Sequence, residues 1–135
     1  MDLSTSLAIA ASGMRAQSSR MRTISENIAN ANSTAKTPDG LPYRRQVATM
    51  TSAFDRTLGA TMVQTGDPAP DQSDFQRRYD PGNPAADKTG YVKTPNVNSL
   101  VEIMDMREAQ QSYEADLDVM QASKSMLSRT VDLLK

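Results

Sequence analysis

The stretch SLVEIMDMREAQQSYEADLDVMQASKSMLSRTVDLLK, residues 99–135, decides the fold. Ile103, Met106, Gln110, Tyr113, Leu117, Met120, Lys124, Leu127, Val131 and Leu134 follow one another at alternating steps of three and four. That spacing is the a/d seam of a heptad helix, with Gln110 and Lys124 as its polar members. It predicts one long helix from about Ser99, roughly 54 Å in length at the usual rise per residue.

The opening of the chain repeats the pattern through Leu3, Leu7, Ala10, Met14, Gln17, Met21, Ile24, Ile28 and Ala31. Asp2 and Ser4 are suited to capping the start, and Asn30-Ala31-Asn32-Ser33 supplies a stop before Pro38. Gly13 breaks the pattern: in a helix interior it costs about 1 kcal/mol against alanine, which a close helix contact would explain better than a solvent position. Charge favours pairing of the two arms, since residues 1–50 carry six basic and three acidic side chains and residues 99–135 carry four and seven. A two-helix hairpin covers one narrow stripe of each helix, so helices of other molecules are expected to cover the rest.

Residues 33–98 have a different grammar. Proline and glycine recur and separate short alternating runs, YRRQVAT, ATMVQT, FQRRY and GYVKT, which predict short strands and extended loops. Five of the six aromatic residues lie here, too few for an independent core, so this segment is expected to lean on the helices. The expected fold class is mainly α with a small β or irregular insert. The expected division is an N-terminal coiled-coil helix over 1–32, a Pro/Gly-rich segment over 33–98 and a C-terminal coiled-coil helix over 99–135.

Composition narrows the function. The chain has neither cysteine nor histidine, which removes thiolate and imidazole metal sites, Cys or Ser/His nucleophiles and histidine proton shuttles. A formal net charge of -1 argues against a polyanion as partner. Asp67, Asp71 and Asp74 do not follow a calcium-loop spacing, and Glu114, Asp116 and Asp118 scatter around a helix instead of converging. Arg44-Arg45 and Arg77-Arg78 lie beside tyrosines, yet neighbouring acids cancel their charge. No window has the length of apolar sequence that a membrane span needs, and the N-terminus lacks a basic region and a secretory apolar run. An enzyme, a cofactor, a small-molecule substrate and a nucleic-acid partner are therefore not expected.

Four strings carry a resemblance: NIANANS at 27–33, PDGLPYRRQV at 38–47, YDPGNPAADKTGYVKTPNVNSLVEIMDM at 79–106 and YEADLDVMQASKSML at 113–127. Together they resemble the bacterial flagellar basal-body rod proteins from end to end; NIANAN alone marks the wider family of rod, hook and hook-associated axial proteins. STAKTPDGLPYRR, residues 33–45, is longer than the common TPGY form of that family. The resemblance implies a structural subunit of the proximal rod, which crosses the periplasm as an axial drive shaft around an export channel. It implies partners that are other copies and other rod subunits, and export by the flagellum's own type III apparatus without a cleaved signal.

Under that reading Leu3, Leu7, Met14, Met21, Ile24 and Ile28 of the first helix and Ile103, Met106, Tyr113, Leu117, Met120, Leu127, Val131 and Leu134 of the second are subunit contacts, joined by Asn27 and Asn30. Tyr79, Pro81, Gly82, Pro84, Tyr91 and Pro95 form a stiffened docking loop, because proline restricts the backbone and lowers the entropy lost on docking. Two rivals compete. A soluble helical-hairpin adaptor or export chaperone would be ordered when free, and a peptidoglycan-cutting enzyme would need a convergent acid pair.

Overall fold

The structure is a computed structural model that describes residues 2–133, so Leu134 of the C-terminal seam lies outside the described residues. In chain order the elements are α1 (Leu3–Asn30), β1 (Gln46–Val47), β2 (Met50–Asp55), β3 (Ala60–Thr65), β4 (Ala69–Pro70), β5 (Gln76–Tyr79), β6 (Tyr91–Thr94) and α2 (Ser99–Leu133). The two long helices stand where the heptad patterns place them, with small antiparallel strand pairs between. The pairs are β1 with β4, β2 with β3 and β5 with β6.

Both helices start on a side-chain cap. The Asp2 carbonyl accepts from the Ser6 N–H at 3.1 Å, and its carboxylate accepts from the Ser4 hydroxyl at 2.6 Å. At α2 the Asn98 side chain accepts from the N–H groups of Leu100 at 3.0 Å and Val101 at 3.4 Å, satisfying donors that no intrahelical carbonyl reaches. α1 ends without a glycine: Asn30 donates back to the Glu26 carbonyl at 2.8 Å and its own carbonyl accepts from Ser33.

Contacts divide the chain into two compact units that do not follow the helix–insert–helix order. One comprises residues 1–21, 48–67 and 107–135, the other 22–47 and 68–106.

In the first unit α1 and α2 meet through small side chains. Ala10, Ser12 and Ala16 of α1 are buried, as are Ala109 and Ser123 of α2. A Cβ on Gly13 would overlap the carboxylate of Asp116. The glycine that disturbs the helix pattern thus marks a close helix contact. The hairpin β2–β3 is tied to α1 by Ser12, whose hydroxyl donates to the Ile9 carbonyl at 2.7 Å and accepts from the Val63 N–H at 3.2 Å. Asp55 shapes the hairpin turn by accepting from the N–H groups of Thr57 and Leu58, and Gly59 closes it at φ 61°. β2 pairs from Met50↔Thr65 to Asp55↔Ala60, although MTSAFD is not among the runs whose alternation predicts a strand.

In the second unit Ile24, Ala85, Val92, Pro95 and Val97 are buried together with polar side chains. β5 and β6 pair from Gln76↔Thr94 to Tyr79↔Tyr91. The loop joining them satisfies itself: Asp87 accepts from the Thr89 N–H and hydroxyl and from the Tyr91 N–H, and Asp80 N–H donates to the Gly90 carbonyl. Gly90 sits at φ 83°, where a Cβ would strike the Tyr79 ring at 2.8 Å.

Candidate assembly surfaces and a buried polar cluster

The seams predicted on the helices are only partly the surfaces that each helix buries within the chain. On α2 the half-buried Met106, Tyr113 and Met120 alternate with Glu102, Ala109, Asp116 and Ser123. These last four lie one residue before the predicted Ile103, Gln110, Leu117 and Lys124. The shift follows from size: alanine and serine let the backbones approach, and the larger apolar side chains turn outward. Ile103 is 51% exposed, and Leu127 and Val131 are 46% and 48% exposed. Leu100, Val101, Met104, Val119, Met126 and Leu133 are outward as well. Leu117 is half-buried.

On α1, Ala10, Ser12, Ala16, Thr23, Ile24 and Asn27 are buried, while Leu3, Leu7, Met14, Gln17, Met21 and Ile28 are half-buried, as is Ala31 just past its end. Among the described residues, Ile24 is therefore the one large apolar seam residue of α1 fully enclosed within its own chain. Asn27, expected at a subunit contact, is 1% exposed and hydrogen-bonded inside the chain, so its side chain has nothing left to offer a neighbour. Asn30 is half-buried and bonded to its own helix.

The docking-loop residues also separate. Tyr79, Pro81, Gly82, Pro84 and Tyr91 are exposed, with the two tyrosine rings edge to face at 5.3 Å between centroids. Pro95 is buried and belongs to the interior of its unit rather than to an outer surface.

Beside Pro95 lies a cluster of polar side chains. Glu102, one turn into α2, is 0% exposed. One of its oxygens accepts from Arg45 Nε at 2.5 Å and the other from Asn27 Nδ2 at 3.0 Å. Asn27 also donates to the Gln46 carbonyl at 2.8 Å, and its oxygen accepts from the Tyr43 hydroxyl at 2.8 Å and the Gln46 N–H at 2.9 Å. Every donor and acceptor position of the amide is thus used. The remaining guanidinium nitrogens of Arg45 reach Asp71 at 3.3 Å and Asp105 at 3.4 Å. Asn96 fastens the backbone alongside, accepting from the Arg45 N–H and donating to Asp71 and Ser73.

Titration follows this geometry. Burial works against the Arg45 cation, but the hydrogen bond and charge of Glu102, helped by Asp71, outweigh it and raise its pKa above the ordinary arginine value. Burial, then the Glu26 and Glu102 carboxylates, push the Tyr43 phenol up. The backbone and hydroxyl of Ser73, with Arg45, hold Asp71 below the usual carboxylate value.

In the sequence Arg44-Arg45 stands out only as a basic pair beside Tyr43 whose charge neighbouring acids cancel, and the cluster built on Arg45 is not visible there. Two long helices, fastened to a short β segment by buried hydrogen bonds and leaving apolar side chains outward along α2, define a structural protein whose work is done by its surfaces. Residues 7–35 match the family profile described as flagella basal body rod protein, and residues 88–133 match that of the flagellar basal body rod FlgEFG protein C-terminal region. The flagellar basal-body rod protein FlgC of Agrobacterium fabrum is 50% identical over 133 residues, covering 98% of this chain and 96% of that one. Those of Borreliella burgdorferi and Bacillus subtilis are each 37% identical, covering 100% and 96% of this chain and 99% and 97% of theirs. The chain belongs to the FlgC family of flagellar basal-body rod proteins. It is a structural rod protein of the flagellum and not an enzyme.

Proposed function

We propose that this chain is a subunit of the proximal rod, joining other copies and other rod subunits into the axial shaft that transmits torque and surrounds the export channel. In that assembly α1 and α2 act as a coiled-coil hairpin whose inner face is the small-residue contact and whose outer face meets neighbouring subunits. The subunit reaches the periplasm through the flagellar export apparatus without a cleaved signal. The observation that carries this reading, beyond the family, is the apolar surface left outward on α2. Leu127 and Val131 continue the heptad run that passes through Met106, Tyr113 and Met120, yet both remain about half exposed. Such side chains favour a partner at roughly 25 cal/mol per Å² covered.

The test places aspartate at Leu127 and Val131 together. Because both side chains are exposed in the single chain, its helix content should hold, while the subunit should be absent from purified basal bodies and motility lost. Normal incorporation would refute the surface assignment. The adaptor or chaperone reading is not favoured, since the relatives are rod proteins over nearly their whole length.

A further inference from the structure

We propose that the Asn27–Glu102–Arg45 cluster is a register pin: it selects, among the heptad-related alignments of α1 and α2 in its unit, the one in which Asn27 faces Glu102. This goes beyond the rod reading and is tested on the free chain, so either can fail alone.

The helices themselves select poorly. Within this unit the buried helical positions other than Asn27 and Glu102 are Thr23 and Ile24, too few to fix an alignment by shape, and a heptad pattern presents an equivalent face after every seven residues. The cluster has one solution. Glu102 is wholly enclosed, and each of its oxygens has a different donor, one from α1 and one from the strand-forming segment. Asn27 fills all four of its hydrogen-bond positions, with Tyr43, both backbone groups of Gln46, and Glu102. A slip of one heptad would set Asn27 level with Ala109 in one direction and with Pro95 in the other. Either way Glu102 parts from its donors, and the Asn27 amide loses the last of its four partners. A buried carboxylate without its donors is costly, so slipped alignments are excluded by what they strand. A buried ionic group in an otherwise permissive helix contact acts in the same sense as a single polar residue in a coiled-coil seam, setting alignment at the expense of stability.

The chain has no cysteine, so Arg22→Cys and Leu100→Cys, both at exposed positions of the same unit and one on each helix, accept a pair of spin labels cleanly. The distance between the labels is read in the full-length chain. With the cluster intact one distance is expected. With Asn27→Leu and Glu102→Leu together, apolar and able to stay buried, a second population should appear, its helices offset by about 10 Å, the rise of seven helical residues. A cluster that merely stabilised the fold would lower the melting temperature and leave one distance. A single, undisplaced distance in the folded double-leucine chain overturns the proposal, as do two distances in the chain with the cluster intact. Should circular dichroism show that the double-leucine chain does not fold, Glu102→Gln carries the test, because the amide NH2 that replaces one carboxylate oxygen must face either Arg45 Nε or Asn27 Nδ2, donor against donor. Two distances then support the pin, and one undisplaced distance in folded Glu102→Gln overturns it.

Discussion

In the unit formed by residues 22–47 and 68–106 the most enclosed ionisable side chain is a glutamate held by an arginine and an asparagine, whereas in the unit formed by 1–21, 48–67 and 107–135 the deepest residues are alanine and serine. The first kind of interior is specific and intolerant, because each polar group depends on the others. The second is permissive, built on close backbone approach, and leaves larger apolar side chains outside it. The interiors differ, yet both units leave apolar side chains of α2 outward, Leu100, Val101, Ile103 and Met104 in the first and Val119, Met126, Leu127 and Val131 in the second.

The largest test of that contrast is Arg45→Ala. It strands Glu102 without its cation in the interior and should cost about 3 to 5 kcal/mol in denaturant unfolding, the range for breaking a buried pair. A loss below about 1 kcal/mol would show the cluster to be far wetter than its enclosure indicates. Next is Gly13→Ala in the other unit. The added methyl meets the end of the half-buried Asp116 side chain, which must turn aside, and should cost up to about 2 kcal/mol despite the better helix propensity of alanine. Adding Asp116→Ala should reverse the sign, leaving a chain about as stable as the starting one or better. If the double change is no better than the single one, close approach is not what the glycine provides.

Pro81→Ala with Pro84→Ala should be no larger, about 1 to 2 kcal/mol for the pair through freedom added to the unfolded loop. Basal bodies carrying it should shed this subunit more readily under heat while helix content is unchanged. Unchanged resistance would leave the exposed loop as a chain reversal. The smallest effect is set by pH. The Thr89 hydroxyl, then the Tyr91 N–H, hold the Asp87 carboxyl below the ordinary aspartate value of 3.8. The stability this contributes is present above that value and is lost as pH falls through the lower folded pKa. Amide exchange at Thr89 and Tyr91 should therefore quicken, relative to the intrinsic rate, only in acid below that value.

Both helices and several strands were legible because heptad steps and alternating runs are local signals. The outward face of α2 was legible in Leu127 and Val131, which hydropathy marks whatever they touch. The inward face was not: a pattern search counts Glu102, Asn27, Ser12 and Thr23 as polar and therefore outward, and their burial depends on partners distant in the chain. β2 was missed because MTSAFD alternates poorly, though Asp55 and Gly59 at its turn carried the hairpin signal. Pro95 read as loop surface because a sequence shows where proline stiffens the chain, not which side of it is covered.

The partners of Glu102 stand 57 and 75 positions away along the chain, in Arg45 and Asn27. Closing loops of that length is entropically slow, and Glu102 is the last of the three to be made. A nascent chain growing from its N-terminus holds Asn27, Tyr43 and Arg45 for most of its synthesis without the Glu102 carboxylate. The cluster therefore cannot be completed until the last quarter of the chain has begun to be made. Delayed closure of this kind suits a subunit that, on the reading proposed above, is threaded through a narrow passage before it takes shape.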